Sequence, residues 1–263
     1  MASMSELKEL HDQYLDATIV MDTFLVKDSA FIDDAFTRVL PVFNNIFKSG
    51  NVKGEMLIGL SYGPYFEWSF PACEYFSDII LGSSTDKCIA EIEKWWKNKP
   101  GALDWSHVAK ALCDLQGNRE EWPEVENRVK GKITKVVKYD VSKCNPLFPT
   151  VLPQADCLLL PHCLEIHVTD KEEFCRALEN VSSLLKNGGH LVMIACLKQT
   201  FFMTGSFKFP HLYIDECSVR EALGENNYVI KELQVFPRTV YHLYDVADYE
   251  SFILVHAQKE IPV

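Results

Sequence analysis

Residues 56–74 read MLIGLSYGPYFEWSFPACE: a short apolar run, a Gly63-Pro64 turn, then an aromatic-rich segment. Met56, Leu57 and Ile58, bounded by Gly54 and Gly59, suit a buried parallel strand, which is continuously hydrophobic where a half-exposed strand alternates. A doubly wound sheet binds its ligand at the carboxyl end of such a strand, at the point where the strand order reverses, so the turn at Gly63 is the first place to look for a site. Loops that hold nucleotides are usually glycine-rich, because the backbone must approach the ligand closely. Here the loop is Gly59-Leu60-Ser61-Tyr62-Gly63-Pro64, with only Gly63 at the turn.

The 263 residues, 48% of them hydrophobic, are enough to bury one large core as a single α/β domain. With 26 basic and 37 acidic residues the net charge is −11, which argues against a nucleic-acid or anionic-membrane partner. The nine cysteines are scattered through apolar segments without a CxxC pair or a secretory leader, the pattern of reduced thiols in a cytoplasmic protein. No apolar run approaches the ~18–20 residues that a membrane span needs.

Outward from the central strand, residues 5–22 form a helical lid or peripheral helix. From Phe31 to Phe47 apolar residues recur at the helical period, with Asp28 or Ser29 as cap and Ser49-Gly50 as stop. Residues 1–50 thus make an N-terminal helical cap. After the turn, residues 65–74 are expected as a helix and 79–81 as a second strand. A helix from Thr85 to Trp96 follows, capped by Ser84, with Ile89, Ile92 and Trp96 towards the sheet. The polar stretch 97–131 holds helices near 107–115 and 123–130 and looks like an insertion over the ligand face. Its Glu120, Glu121, Glu124 and Glu126 make a solvated surface. Strand three spans 133–141 and strand four 155–160, after a proline-marked loop. A helix from Lys171 to Lys186, capped by Asp170 and stopped by Asn187-Gly188-Gly189, leads to strand five at 190–195. A helix near 218–223 and β runs at 228–236 and 252–257 complete an open, mostly parallel sheet with helices on both faces.

The stretches GEMLIGLSYGP, FPACEYFSDII, IEKWWKNKPGALDW, CDLQGN, YDVSKCNPL, ADCLLL, FCRALENVSSLLKNGGHLVMI and SFILVHAQK resemble the nicotinamide, indolethylamine and phenylethanolamine N-methyltransferase family. These are class I S-adenosylmethionine-dependent enzymes, and the resemblance, nearest to the nicotinamide branch, covers nearly the whole chain. It implies a seven-stranded Rossmann-like sheet and, if the chain is active, S-adenosylmethionine as cofactor without a metal. By resemblance, Tyr14 stands where a family tyrosine meets the cofactor, Gly63 keeps the cofactor turn, and Asp140 and Val141 keep the pair that reads the adenine. Ser83 stands where an acidic residue accepts the ribose hydroxyls. Gly59 replaces an Asp, Tyr62 a Ser in a Gly-Ser-Gly-Pro turn, Cys88 an Asn, and Thr18 and Ile19 two tyrosines. On the acceptor side Ala195 replaces an Asp, Gln199 a Ser and Phe202 a Tyr. Methyl transfer to an amine is an in-line displacement governed by positioning, so no side chain is assigned a catalytic role.

Set beside these readings are plainer ones. Gly63-Pro64 is also an ordinary loop signal, and Asp140 equally a capping residue. Cys157, His162, Cys163 and His167 form the one Cys/His cluster in sequence, but its spacing does not suit zinc. Cys163 and His162, as neighbours at a strand, point to opposite faces and make no nucleophile-base pair. Residues 201–213 either line an acceptor pocket or, preferably, pack on the sheet edge. The changes at Gly59, Tyr62, Ser83, Cys88 and Ala195 all favour a catalytically silent binding or interaction homologue, with a small molecule or a protein as partner. The alternative is an active N- or S-methyltransferase with a non-nicotinamide acceptor. A Tyr62 or Glu67 side chain filling the cofactor cleft supports the first, and an open cleft beside Asp140 the second.

Overall fold

The computed structural model describes residues 3–25, 30–117 and 122–261, with the side chains of 30–35 left aside. Asp28, Ser29, Glu120 and Glu121 therefore lie outside the described residues. The central strand, β1 (Gly54–Ser61), pairs in parallel with β2 (Phe76–Ser83) on one side and β4 (Ala155–Pro161) on the other. β3 (Ile133–Lys138) adds beyond β2, and β5 (Leu185–Leu197) beyond β4. A short hairpin of β6 (Phe201–Thr204) and β7 (Phe207–Pro210) stands apart, and the antiparallel strands β9 (Ser251–Lys259) and β8 (Tyr228–Pro237) close the order β3-β2-β1-β4-β5-β9-β8. The order reverses between β1 and β4, which puts the expected crevice at the end of β1.

Burial follows the pleat. Leu57, Leu81, Leu159, Ile194 and Leu254 enter one core layer, while Ile58, Ile80, Leu158, Met193 and Val255 enter the other. The first layer is covered by α3 (Ala30–Lys48), whose Phe36, Val39, Leu40, Phe43, Ile46 and Phe47 are buried at the expected spacing, and by α5 (Asp86–Trp96). The second is covered by α8 (Lys171–Ser182) and α9 (Glu216–Glu225). The N-terminal cap also supplies α1 (Met4–Tyr14) and α2 (Ala17–Val20). No helix of the described residues is long and apolar enough to cross a membrane.

Several local expectations give way to packing. In place of a helix over 65–74 there is one short turn, α4 (Ser69–Ala72), followed by a 3-10 turn, because Tyr65, Phe66 and Trp68 are drawn inward by their rings. The cap of α5 is Thr85, whose hydroxyl accepts from the Cys88 amide at 3.3 Å, and not Ser84. Trp95, not Trp96, faces inward, packed 4.5 Å from Phe66, and Trp96 instead donates its indole N–H to the Lys130 carbonyl. α8 stops at Ser182 and β5 starts at Leu185, ahead of the Asn-Gly-Gly, since Ala155 pairs with Leu185 across a register shift. β3 ends at Lys138, leaving Asp140 in the following turn. The segment 97–131 contains α6 (Ser106–Gln116) and α7 (Trp122–Lys132), which pack beside α3, α4 and the start of β2, whereas the sequence suggested a cover over the carboxyl ends.

The start of β1 hangs on one carboxylate. Asp156 accepts from the amides of Glu55 at 2.8 Å and Met56 at 3.0 Å and pairs with Lys186 at 2.6 Å. A Cβ at position 54 would overlap that side chain, which explains Gly54. Asp156→Ala should therefore cost about 1–3 kcal/mol in urea unfolding, with Asp156→Asn, which keeps an acceptor, costing less. Equal midpoints for the alanine variant and the wild type would contradict this assignment.

Candidate functional site

The loop after β1 is tied down by hydroxyls. Ser83, at the end of β2, donates to the carbonyls of Tyr62 and Gly63 at 3.0 and 3.2 Å. Ser84 donates to the Tyr62 carbonyl at 3.2 Å, and Ser61 to that of Gly63 at 3.0 Å. The loop turns inward as a result. Tyr62 is 5% exposed and Tyr65 6%, their rings 4.9 Å apart and their hydroxyls hydrogen-bonded at 2.8 Å. A Cβ at Gly63 would come within 2.9 Å of the Tyr65 ring, so this glycine serves the close approach of the loop to itself. A Cβ at Gly59 would meet only an ordinary contact with Leu81 at 3.5 Å.

At the end of β3, Asp140 and Val141 line a cavity of about 230 Å³ with Ser84, Tyr139, Lys8 and His167. Asp140 pairs with Lys8 of α1 at 2.6 Å and accepts from the amide and hydroxyl of Ser142 at 3.0 and 2.6 Å. Half-burial pushes its carboxyl up, but Lys8 and Ser142 prevail and hold it down at about 2. Val141 is buried and its carbonyl accepts from Asn180 at 2.8 Å. Tyr14 is 43% exposed and stacks on Phe207 of the hairpin at 4.3 Å. Ser83 and Gly63 thus meet, Asp140 and Val141 meet, Ser84 bridges the two groups, and Tyr14 lies on the hairpin. Cys88 is buried at the start of α5, and Thr18 and Ile19 receive the Asp16 cap at the start of α2.

A second chamber of about 80 Å³ lies beneath Tyr62, walled by Tyr65, Trp68, Phe202, Tyr249 and Phe252 among others. Gln199 and Phe202 are in its wall, but Cys196 takes the place the sequence assigned to Ala195, which enters the opposite core layer. The strand's period of 2 makes that difference. The aromatic segment does more than pack on an edge: Phe202 lies 5.3 Å from Tyr62 and closes the chamber, while Phe209 stacks on Phe202 and on His11.

The polar groups of this region are buried and hold unusual protonation states. Burial pushes Glu67 up to about 8, with its own backbone N–H and the neighbouring Trp68 indole tempering the rise. Its Oε2 has no hydrogen-bond partner among the described residues. Glu165, pushed up by burial to about 7, lies 3.9 Å from His162 Nδ1 and 4.0 Å from His211 Nε2. Both histidines are held neutral by burial, His162 down to about 3 and His211 to about 4. His162 adopts a left-handed backbone at φ 47°, held by its amide's bond to the Ile194 carbonyl at 2.8 Å. Cys196 Sγ is 3.7 Å from the same His162 Nδ1 that faces Glu165, so one nitrogen would have to serve both partners of a nucleophilic triad. Cys163 instead donates to the Tyr139 hydroxyl at 3.4 Å in the other layer, and His167 Nδ1 meets the Cys163 carbonyl at 2.6 Å. Cys157 is buried in β4.

Lys8, His11, Glu165 and His211 were not legible as site residues. His11 had one usable signal: with Leu7, four residues earlier, it forms the buried stripe of an otherwise polar α1.

The sheet order, the two helical layers and a crevice at the β1/β4 reversal are those of the class I S-adenosylmethionine-dependent methyltransferases. Over 99% of this chain the fold superimposes on 98% of magnesium protoporphyrin IX methyltransferase from Synechocystis PCC 6803, with a TM-score of 0.61 and 13% identity. Over 92% it superimposes on 97% of the N-methyltransferase NodS from Bradyrhizobium japonicum WM9, with a TM-score of 0.55 and 12% identity. In sequence, the chain is 39% identical over 194 residues to nicotinamide N-methyltransferase of Homo sapiens, 74% of each chain. It is 34% identical over 200 residues to indolethylamine N-methyltransferase of Oryctolagus cuniculus, 76% of each. Residues 14–260 match the NNMT/PNMT/TEMT family, and this chain belongs to it.

The buried groups set a pH profile. His11, His162, His167 and His211 have values lowered from 6.5 to about 3, 3, 4 and 4, burial being the first cause in each. Below about 6.5 the unfolded chain binds their protons and the folded chain does not, so stability falls as the pH drops towards those values. Glu67 and Glu165 act in reverse: raised from 4.5 to about 8 and 7, they lose stability as the pH rises from 4.5 through those values. Four histidines outweigh two glutamates between 4.5 and 6.5, and above that only the glutamates act. Thermal unfolding should peak near pH 6.5, and His11→Phe, which removes two unbonded ring nitrogens, should flatten the acid limb by up to about 1.4 kcal/mol per pH unit. A limb of unchanged steepness would sink the assignment.

Proposed function

We propose that this chain is a catalytically silent member of its methyltransferase family, a binding module whose ligand occupies the chamber beneath Tyr62. The observation that carries the reading is the Ser83 hydroxyl bonded to the Tyr62 and Gly63 carbonyls. The family resemblance gives that position to a carboxylate accepting two ribose hydroxyls. A serine directed at its own loop offers neither the charge nor the second acceptor oxygen. Each hydrogen bond to a charged acceptor contributes about 1.5–3 kcal/mol, so this change alone lowers affinity roughly tenfold to a hundredfold. The Tyr62 and Tyr65 rings pair beside it, at the loop that would have to receive the amino-acid end of S-adenosylmethionine, which supports the same reading.

One observation favours the alternative, an active enzyme with an unidentified acceptor. The cavity of about 230 Å³ at Asp140 and Val141 suits an adenine ring, so the two ends of the cleft differ. In that reading Tyr14, Gly63, Ser83, Asp140 and Val141 contact the cofactor.

None of the nine cysteines is in a disulfide, which supports a reducing, cytoplasmic compartment. The charge of −11 speaks against nucleic acid and membrane surfaces as partners.

Calorimetric titration with S-adenosylmethionine and S-adenosylhomocysteine up to millimolar concentration tests the reading. We expect no micromolar binding from the wild type and at least tenfold tighter binding from a Gly59→Asp, Tyr62→Ser, Ser83→Asp variant. Micromolar affinity of the unaltered chain would overturn it.

A further inference from the structure

The chamber of about 80 Å³ has a composition that restricts its ligand. Tyr62, Tyr65, Trp68, Phe202, Tyr249 and Phe252 supply aromatic walls. Among the described lining residues Glu67 is the one carboxyl group, and none is a lysine or arginine. Glu67 is 2% exposed and its Oε2 lacks a hydrogen-bond partner among the described residues. Besides the tyrosine hydroxyls, the Cys196 thiol and the Trp68 indole N–H, the polar lining groups are His162, His211 and Gln199, the last already donating to the Phe201 carbonyl at 2.8 Å.

Ring faces carry negative potential, and a carboxylate beside them adds to it. An anion is disfavoured there, and a neutral apolar ligand would leave Glu67 without a counterpart in a dry site. A compact, strongly hydrated cation would lose its water shell and find too few acceptors. An organic cation whose charge is spread over methyl groups gives up weakly held water, presents its charge to several rings at once and neutralises the carboxylate. We propose that this chamber binds a small quaternary-ammonium-type cation, caged by the aromatic walls and countered by Glu67. The assignment rests on the preceding reading that the chamber holds its occupant without methylating it.

Binding also has a proton signature. Burial holds the Glu67 carboxyl up at about 8, so near pH 7 it is mostly protonated and must release its proton to face a cation. Of the groups around the chamber, Glu165 also titrates between pH 6 and 8, burial holding it at about 7. His162 and His211 stay neutral because burial holds them near 3 and 4, Tyr62 and Tyr65 are pushed well above 10 by burial, and the Cys196 thiol and Tyr249 complete the facing groups. Glu165 lies behind the two histidines.

The test is calorimetry of the full chain with choline, tetramethylammonium and trimethylphenylammonium, against 3,3-dimethylbutan-1-ol, the uncharged isostere of choline. We expect at least one cation to bind, choline to exceed its isostere at least tenfold, and affinity to rise at least tenfold from pH 6 to 8. The heat at pH 7 should vary with the ionisation enthalpy of the buffer, and Glu67→Gln should bind at least tenfold more weakly and lose most of the pH dependence, the remainder belonging to Glu165. No heat from any of the three cations, or equal binding of choline and its isostere, overturns the proposal; the isostere comparison uses the wild type and stands even if Glu67→Gln does not fold. S-adenosylmethionine titration of the same sample separates the two readings. Tight cofactor binding together with choline binding would remove the silent assignment and leave the cation site.

Discussion

The arrangement of the whole site depends on a buried hydroxyl. Ser83 Oγ has one proton and directs it between two carbonyls of the loop after β1, while Ser84 and Ser61 supply a second donor to each. Buried carbonyls are costly without partners, so lifting the loop would expose acceptors to an apolar interior at about 1–3 kcal/mol each. The loop therefore stays folded inward, and its position fixes the rest in turn. Tyr62 and Tyr65 must pair with each other, Phe202 can rest on Tyr62, and the hairpin that carries Phe202 roofs the chamber.

At the far end of the cleft the balance of forces differs. The Lys8–Asp140 pair is short, but Lys8 is half-exposed, and ion pairs of that kind contribute at most about 1 kcal/mol. Lys138 with Asp12, at 3.4 Å, adds no more. What docks α1 is apolar insertion: Leu7 and His11 are buried, His11 lies 5.4 Å from the Phe209 ring and 5.2 Å from His167, and Tyr14 stacks on Phe207. Because neither ring nitrogen of His11 is hydrogen-bonded, the imidazole behaves as an aromatic plug. The N-terminal segment is thereby part of the same aromatic system that closes the chamber, joined to it through Phe209 and Phe202.

The fold was largely legible in the sequence because buried parallel strands announce themselves: Met56–Ile58, Ile79–Leu81 and Ala155–Leu160 have few other ways to hide their side chains. Boundaries were less legible where long-range pairing overrode local signals, as when Leu185 joined β4 ahead of Asn187-Gly188-Gly189. The stretch 65–74 failed as a helix because three aromatic rings found more burial in turns than along a helical face. Gly63, Ser83, Asp140 and Val141 were singled out by resemblance alone, and their neighbourhood follows from strand ends meeting at one edge. Glu165 and His211 were illegible, since they lie 46 positions apart in the chain and meet only through the hairpin and the turn after β4.

The chamber's chemistry runs against stability, and that makes it informative. Burying a carboxyl without a full set of partners costs several kcal/mol relative to an apolar or amide side chain of similar size, even when the group stays protonated. At position 67 no lysine, arginine or full hydrogen-bond set among the described residues offsets that cost. His162 adds a left-handed backbone at the same wall, another local strain that a purely structural chamber has no need to carry. The Ser83-bonded loop encloses the chamber, and enclosure is what raises Glu67. The contacts that fold the loop inward thus also build the aromatic walls around Glu67, so the loop's position and the chamber's chemistry have one origin.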